Sequence, residues 1–154
     1  MQVQAMKDDK PVMLMTVDTG MRVLVLDDEK HRHDWFKGEA RELGWVIRHA
    51  WTAEDAIRAL DEGPRFDLVF LDHDLAQVAA EAAMYATAHS WGPDGKVVAR
   101  HLAGPLGLAK RPGHVHVHSW NWGAAEVMEA ILKDAGLNVS RYEFGRFKLV
   151  RRVA

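Results

Sequence analysis

FDLVFLDHDL, residues 66–75, is the stretch that decides the fold. From Leu68 to Leu71 every position is apolar, and then Asp72, His73 and Asp74 follow at once. A strand with one face in water alternates polar and apolar residues. A continuous apolar run of this length suits a strand covered on both faces, as in a parallel sheet flanked by helices. The charged triplet then falls at the carboxyl end of that strand.

The surrounding sequence repeats the same rhythm. RVLVLDDE (22–29) is a second apolar run ending in acids. HRHDWFKGEARELG (31–44) has helical spacing at Trp35, Phe36, Ala40 and Leu43 and stops at Gly44. WVIRHAW (45–51) reads as a strand. Thr52 opens the helix TAEDAIRALDEG, with Asp55 in the capping-box position and Gly63-Pro64 closing it. Downstream, GKVVARHLAGPLG and AAEVMEAILKDAG are helices, and HVHVHSW and NVSRYEF are strands. The alanine-rich AQVAAEAAMYATAHSWGPDG lengthens one connection and is expected to be partly helical. GRFKLVRRVA is too short for a full closing helix and is expected to add an edge strand. Strands and helices alternate five times, which predicts an α/β sandwich of three layers around a mainly parallel five-stranded sheet. Residues 1–20 precede this rhythm as an N-terminal extension to a domain over 21–154. Within the extension, PVMLMTV is either a strand or part of a loose leader.

Composition narrows the function. The chain has 154 residues, a formal charge of −2, no cysteine and nine histidines. The absence of cysteine removes disulfides and thiolate metal sites. The near-neutral balance gives no general drive toward nucleic acid or membrane. No apolar run approaches the ~20 residues of a membrane span, and the amino terminus lacks an export pattern, so a cytoplasmic location is expected.

Ligands of open parallel sheets bind beyond the carboxyl ends of the strands. Three predicted strands deliver chemistry to that edge. The first ends in Asp27 and Asp28, with Lys30, His31 and Arg32 just beyond; the third in Asp72, His73 and Asp74; the fourth in His118, Ser119 and Asn121. The stripe His114, His116, His118 shares one strand face, but at ~3.3 Å per residue His114 lies roughly 13 Å from His118. A single metal gripped by all three is therefore excluded. Only His118 reaches the edge, His116 is expected inside, and His114 is expected near the opposite, solvated rim. His31, His33, His89 and His101 are expected at the surface, and His49 has no evident partner.

With these residues placed, the chain resembles the receiver domain of response regulators. VLVLDDE is similar to the receiver acidic pair, and DLVFLD to the strand that ends in the phosphoacceptor, which would be Asp72. Ser119 falls at the receiver's serine or threonine. The resemblance implies a flavodoxin-like sheet of order 2-1-3-4-5. Two features depart from it: SRYEFGRF carries no lysine where receivers carry one after the fifth strand, and the closing helix is missing. LDDE, DHDL, Asp94-Gly95 before a helix, and HS followed two positions on by Asn resemble instead the cyclic-phosphate-processing receiver domain family. That resemblance implies hydrolysis or processing of a cyclic phosphate on a nucleotide or an RNA end.

The residues support such chemistry on their own terms. Opening a cyclic phosphodiester takes a base, an acid and donors for the phosphoryl oxygens. His73 and His118, with Asp72, are the candidate catalytic groups, and Ser119, Asn121 and Arg32 the candidate phosphate-binding groups. Asp27, Asp28, Asp72 and Asp74 either hold Mg or Mn or orient the imidazoles. Four crowded carboxylates with few cations nearby favour the divalent metal. Trp120 and Trp122 are expected to pack, or else to stack on a base. A receiver phosphorylated on Asp72 and a non-catalytic nucleotide-binding module are the alternatives.

Overall fold

A computed structural model of the chain describes residues 2–7, 10–75 and 94–153. The alanine-rich connection with His89 lies outside them. Five strands form the main sheet: β3 (Arg22–Leu26), β4 (Val46–Ala50), β5 (Leu68–Leu71), β6 (His114–Val117) and β7 (Val139–Arg141). Their order is β4-β3-β5-β6-β7, and every neighbouring pair is parallel. Counted from residue 21 this is the expected 2-1-3-4-5. The apolar runs are continuous because successive residues serve opposite cores. Val23, Val25, Leu68 and Phe70 enter one cluster, while Leu24, Leu26, Val69 and Leu71 enter the other.

The second of these clusters is covered by α2 (Ala53–Glu62), α3 (Gly95–Ala103) and α4 (Trp122–Asp134). Each of these helices begins at a side-chain cap. Thr52 accepts from the Asp55 amide at 3.1 Å, Asp94 from Lys96 at 2.9 Å, and Asn121 from Ala124 at 3.1 Å. The Asp55 carboxylate, however, is drawn away to Arg48 at 2.8 Å, so the capping box is half formed.

The opposite face carries α1 (Lys30–Leu43) and a second sheet that the sequence did not reveal. There β1 (Gln2–Lys7) pairs antiparallel with β2 (Lys10–Val17), and β2 pairs in parallel with β8 (Phe147–Arg151). GRFKLVRRVA thus supplies a strand, but one of this second sheet rather than an edge of the main one. Met15, Val17, Phe147 and Leu149 turn inward onto Phe36 and Phe70. These side chains take the place that a closing helix would fill.

In α1 the buried stripe is His33, Phe36, Ala40 and Leu43, a spacing of three and four residues. His33 is therefore a core residue, against the expectation of a solvated one. Gly44 ends the helix at φ 65°, the left-handed conformation that favours glycine.

Candidate active site at the carboxyl edge

The ends of β3 and β5 bring Asp27, Asp28 and Asp72 together. All three are buried, and one carboxylate oxygen from each lies within 4.8 Å of the others. The register explains this: Leu26 pairs with Leu71 and Leu71 with Val117, so the next residues emerge side by side. Backbone bonds lock the edge, from Asp72 N to Leu26 O and from His118 N to Leu71 O, both 3.0 Å.

Asp27 is held by several donors. Its Oδ1 accepts from the Glu29 amide at 2.9 Å, and its Oδ2 from His118 Nε2 at 2.8 Å, with Arg32 at 3.4 Å. Burial works to raise its pKa, but the His118 hydrogen bond and charge, the Glu29 amide and Arg32 together hold it below the ordinary carboxylate value. Asp72 is in the opposite state. Burial and the neighbouring Asp27 and Asp28 charges outweigh His118 and Arg32, and its pKa is pushed up to about 7. Among the donors given to Asp72, Arg32 stands 3.6 Å away. Burial and like charge thus make the Asp72 carboxylate harder to ionise than that of Asp27.

Arg32 reaches this group from the first turn of α1, with its guanidinium carbon 5.3 Å from the centroid of the Phe144 ring. Phe144 follows the fifth strand of the main sheet, in the region where receivers carry their lysine. A cation from α1 thus lies over an aromatic ring that follows the fifth strand.

The two candidate histidines occupy different settings. His118 is wholly buried, with Phe36, Phe70 and Phe144 around its ring at 5.9–6.4 Å between centroids. Its Nε2–H is committed to Asp27, and its Nδ1 has no hydrogen-bond partner among the described residues. That setting suits holding Asp27 in place rather than meeting a substrate as acid or base. His73 is partly open at 12 % side-chain exposure. Its Nδ1 lies 2.7 Å from Asp74 Oδ1, and its Nε2 3.1 Å from Asp94 Oδ2 without hydrogen-bond alignment. The Nε2 atom is itself buried, so the open part of the ring is elsewhere.

Asp74 consequently stands apart from the three-aspartate group. The sequence reading placed it among four metal ligands; the turn after Asp72 sends it to half-exposed surface on His73 instead. Ser119 is buried beside the group and accepts the Asn121 amide at 3.1 Å, leaving its hydroxyl hydrogen free to donate. Asn121 uses its side-chain oxygen to cap α4.

Sequence reasoning missed two supports of this site. His33 Nε2 lies 2.8 Å from the carbonyl of Asp27, and His33 Nδ1 lies 2.6 Å from His49 Nδ1. Since a carbonyl only accepts, His33 donates through Nε2 and His49 donates to it through Nδ1. Desolvation lowers the pKa of both rings, that of His49 to about 4, so the pair is neutral. The signal was present: His33 lies three residues before Phe36, on the apolar stripe. The second support is Gly95. A Cβ there would meet the Asp72 carbonyl oxygen at 2.3 Å and the His73 Cα at 2.8 Å. The start of α3 can lie against the end of β5 only because this residue has no side chain. Gly95→Ala is expected to cost about 1–3 kcal/mol by forcing backbone apart. A denaturant midpoint unchanged from the parent would contradict that packing.

His116 lies inside, as expected, with Nδ1 2.7 Å from Ser140 Oγ. His114 is half-buried on the same hydroxyl at 2.7 Å rather than solvated. His101 is also less exposed than expected, bonded to Asp61 at 2.7 Å with 15 % of its side chain open.

A parallel sheet of this order, with two aspartates after its first strand and one after its third, defines a receiver-type domain. Solved structures agree on the fold. A CheY-like response regulator receiver from Methanospirillum hungatei JF-1 matches at TM-score 0.55 and 16% identity, covering 82% of each chain. The receiver domain of a sensor histidine kinase from Pseudomonas aeruginosa PAO1, with magnesium in its active-site cleft, matches at 0.56 and 17%, covering 82% of this chain and 86% of that one. The response regulator TrrA from Thermotoga maritima, in complex with Mg²⁺-BeF, matches at 0.55 and 21%, covering 80% and 84%. No curated protein matches. The family model of the cyclic-phosphate processing receiver domain matches residues 22–134, and the chain belongs to that family. No helix among the described residues is long and apolar enough to cross a membrane.

Proposed function

We propose that the carboxyl edge of the main sheet hydrolyses a cyclic phosphate on a nucleotide or RNA end with the help of Mg or Mn. The observation that carries this reading is the buried group Asp27, Asp28 and Asp72, with one carboxylate oxygen of each within 4.8 Å of the others. Membership of a family named for cyclic-phosphate processing supports it. So do the magnesium ions recorded in two receivers of the same fold.

The donor set fits a hard divalent cation: three carboxylates with one oxygen each in mutual reach, and no sulfur ligand. Asp27, Asp28 and Asp72 would hold it. When bound, such a cation neutralises phosphoryl charge and makes water a better nucleophile. His118 fixes Asp27 through Nε2–H, and His33 braces the same residue through its carbonyl. His73, held at Nδ1 by Asp74, is the group that would take the proton of the attacking water. The water oxygen bonds to phosphorus, one ring P–O bond breaks, and the freed alkoxide takes a proton from solvent water. Ser119 donates its hydroxyl hydrogen to a phosphoryl oxygen, and Arg32 and Asn121 add donors beside it.

The test is a panel of cyclic-phosphate substrates, with and without chelator, read by product mass. Turnover is expected with Mg²⁺ or Mn²⁺ and is expected to vanish in chelator. His73→Ala is expected to lose about a hundredfold in kcat, at the lower end of what a general base contributes, with melting unchanged. Full activity in that variant would remove His73 from the chemistry. A receiver-like reading predicts a different outcome with a small phosphoryl donor and Mg²⁺: a stable adduct on Asp72, lost in Asp72→Asn, without turnover of any cyclic phosphate.

A further inference from the structure

Tryptophan is distributed unevenly over this molecule. Trp45 is buried and donates Nε1–H to the Asp18 carbonyl at 2.9 Å. Trp35 packs edge-on against Phe36, Phe144 and Phe147. The other three described tryptophans are 40–52 % exposed: Trp51, Trp120 and Trp122. All three sit at the carboxyl edge. Trp51 directly follows β4, Trp120 directly follows Ser119, and Trp122 opens α4. The aspartate group lies between them, on β3 and β5. No described phenylalanine or tyrosine is exposed to that degree. Large indoles left in water at one edge only, and at the edge that carries the ionisable cluster, need a reason beyond core packing.

Two of the three are also held rigid from behind. Trp51 stacks on His33 at 3.9 Å and 29° between planes. Trp122 has the Arg141 guanidinium over its ring at 4.9 Å, and Arg141 is itself held by Glu129 at 3.5 Å and Glu126 at 3.9 Å. An indole backed on one face and open on the other is a surface for a flat ring. The loop that presents Trp120 is fixed as well, since Ser119 and Asn121 each accept a local backbone amide.

We propose that Trp120 and Trp122 stack on the base of the substrate, so that the site selects a cyclic phosphate carried by a nucleoside over one on a base-free sugar or polyol. This rests on the reading of the edge as a cyclic-phosphate site. Ser119, the donor assigned to the phosphoryl group, is the chain neighbour of Trp120, which places the base on that side. Base–aromatic stacking is worth about five- to a hundredfold in affinity per base by alanine substitution.

The experiment is equilibrium binding by calorimetry with Mg²⁺, using adenosine 2′,3′-cyclic phosphate and its base-free counterpart, ribose 2,3-cyclic phosphate. The parent is expected to bind the adenosine compound at least about fivefold more tightly. Trp120→Ala and Trp122→Ala are expected to remove most of that difference and leave the ribose compound unaffected. The phenylalanine variants are expected to restore most of it. Equal weakening of both compounds, or no discrimination by the parent, would overturn the proposal. Binding and turnover are read separately. Base-selective binding without turnover would refute the hydrolytic reading alone, and turnover indifferent to the base would refute this inference alone.

Discussion

His118→Ala is expected to cost about 3–5 kcal/mol of folding stability, more than any other single change at the edge. The reason is Asp27. The variant leaves a wholly buried carboxylate that still accepts from Glu29 and Arg32 but has lost its 2.8 Å donor. It also opens a cavity among Phe36, Phe70 and Phe144. From sequence, His118 and His73 look like equivalent acid–base candidates whose removal leaves the fold intact. The structure separates them. Denaturant unfolding of the two alanine variants should show a large loss for His118 and less than about 1 kcal/mol for His73, which is hydrogen-bonded to the half-exposed Asp74. Equal effects would mean that the buried His118–Asp27 pair does not hold the edge together.

The second large effect belongs to Asp72. Its folded pKa of about 7 lies above the ordinary carboxylate value, so the fold favours the protonated form. A raised folded pKa means stability that is fully present below about pH 4 and is lost as pH rises through about 7. The distance between the two pKa values corresponds to about 4 kcal/mol. Asp72→Asn keeps the shape and removes the charge. In chelator at pH 8 this variant is therefore expected to be more stable than the parent by up to about that amount, and at pH 5 by much less. Mg²⁺ should reverse the ranking, because the ion stabilises a folded state that holds it and the amide has lost a ligand oxygen. Thermal unfolding at the two pH values, with and without Mg²⁺, reads all four quantities. A difference independent of pH would show that Asp72 is not the carboxylate that keeps the proton.

The two results bear on one design. Three buried aspartates need compensation, and in this chain it comes from unusual places. Arg32 reaches in from α1 across Phe144, and His118 from the strand end beside Ser119. Both groups lie against Asp27, and Arg32 also lies 3.6 Å from Asp72.

Much of this was legible in the sequence. The continuous apolar runs at 22–26 and 68–71 specify strands with two covered faces, and the acids that follow specify the edge. The resemblance to receivers implied the strand order, and with that order parallel register brings Asp27, Asp28 and Asp72 side by side. The alternation in HVHVHSWN separates the heights of its three histidines without any coordinates. What the sequence alone could not decide is which polar groups share one desolvated space. His33 lies on the apolar stripe of α1, yet its burial becomes evident only when β4 brings His49 and Trp51 against it. Asp74 has the same composition and setting in sequence as Asp72, and one turn of backbone sends it to His73 instead of the cluster. The pairing of β2 with β8 joins segments some 130 residues apart, which no local periodicity can encode. Local pattern fixes which face a residue presents. Burial, protonation and partner choice depend on what the rest of the chain packs against that face, and those are settled only in the tertiary structure.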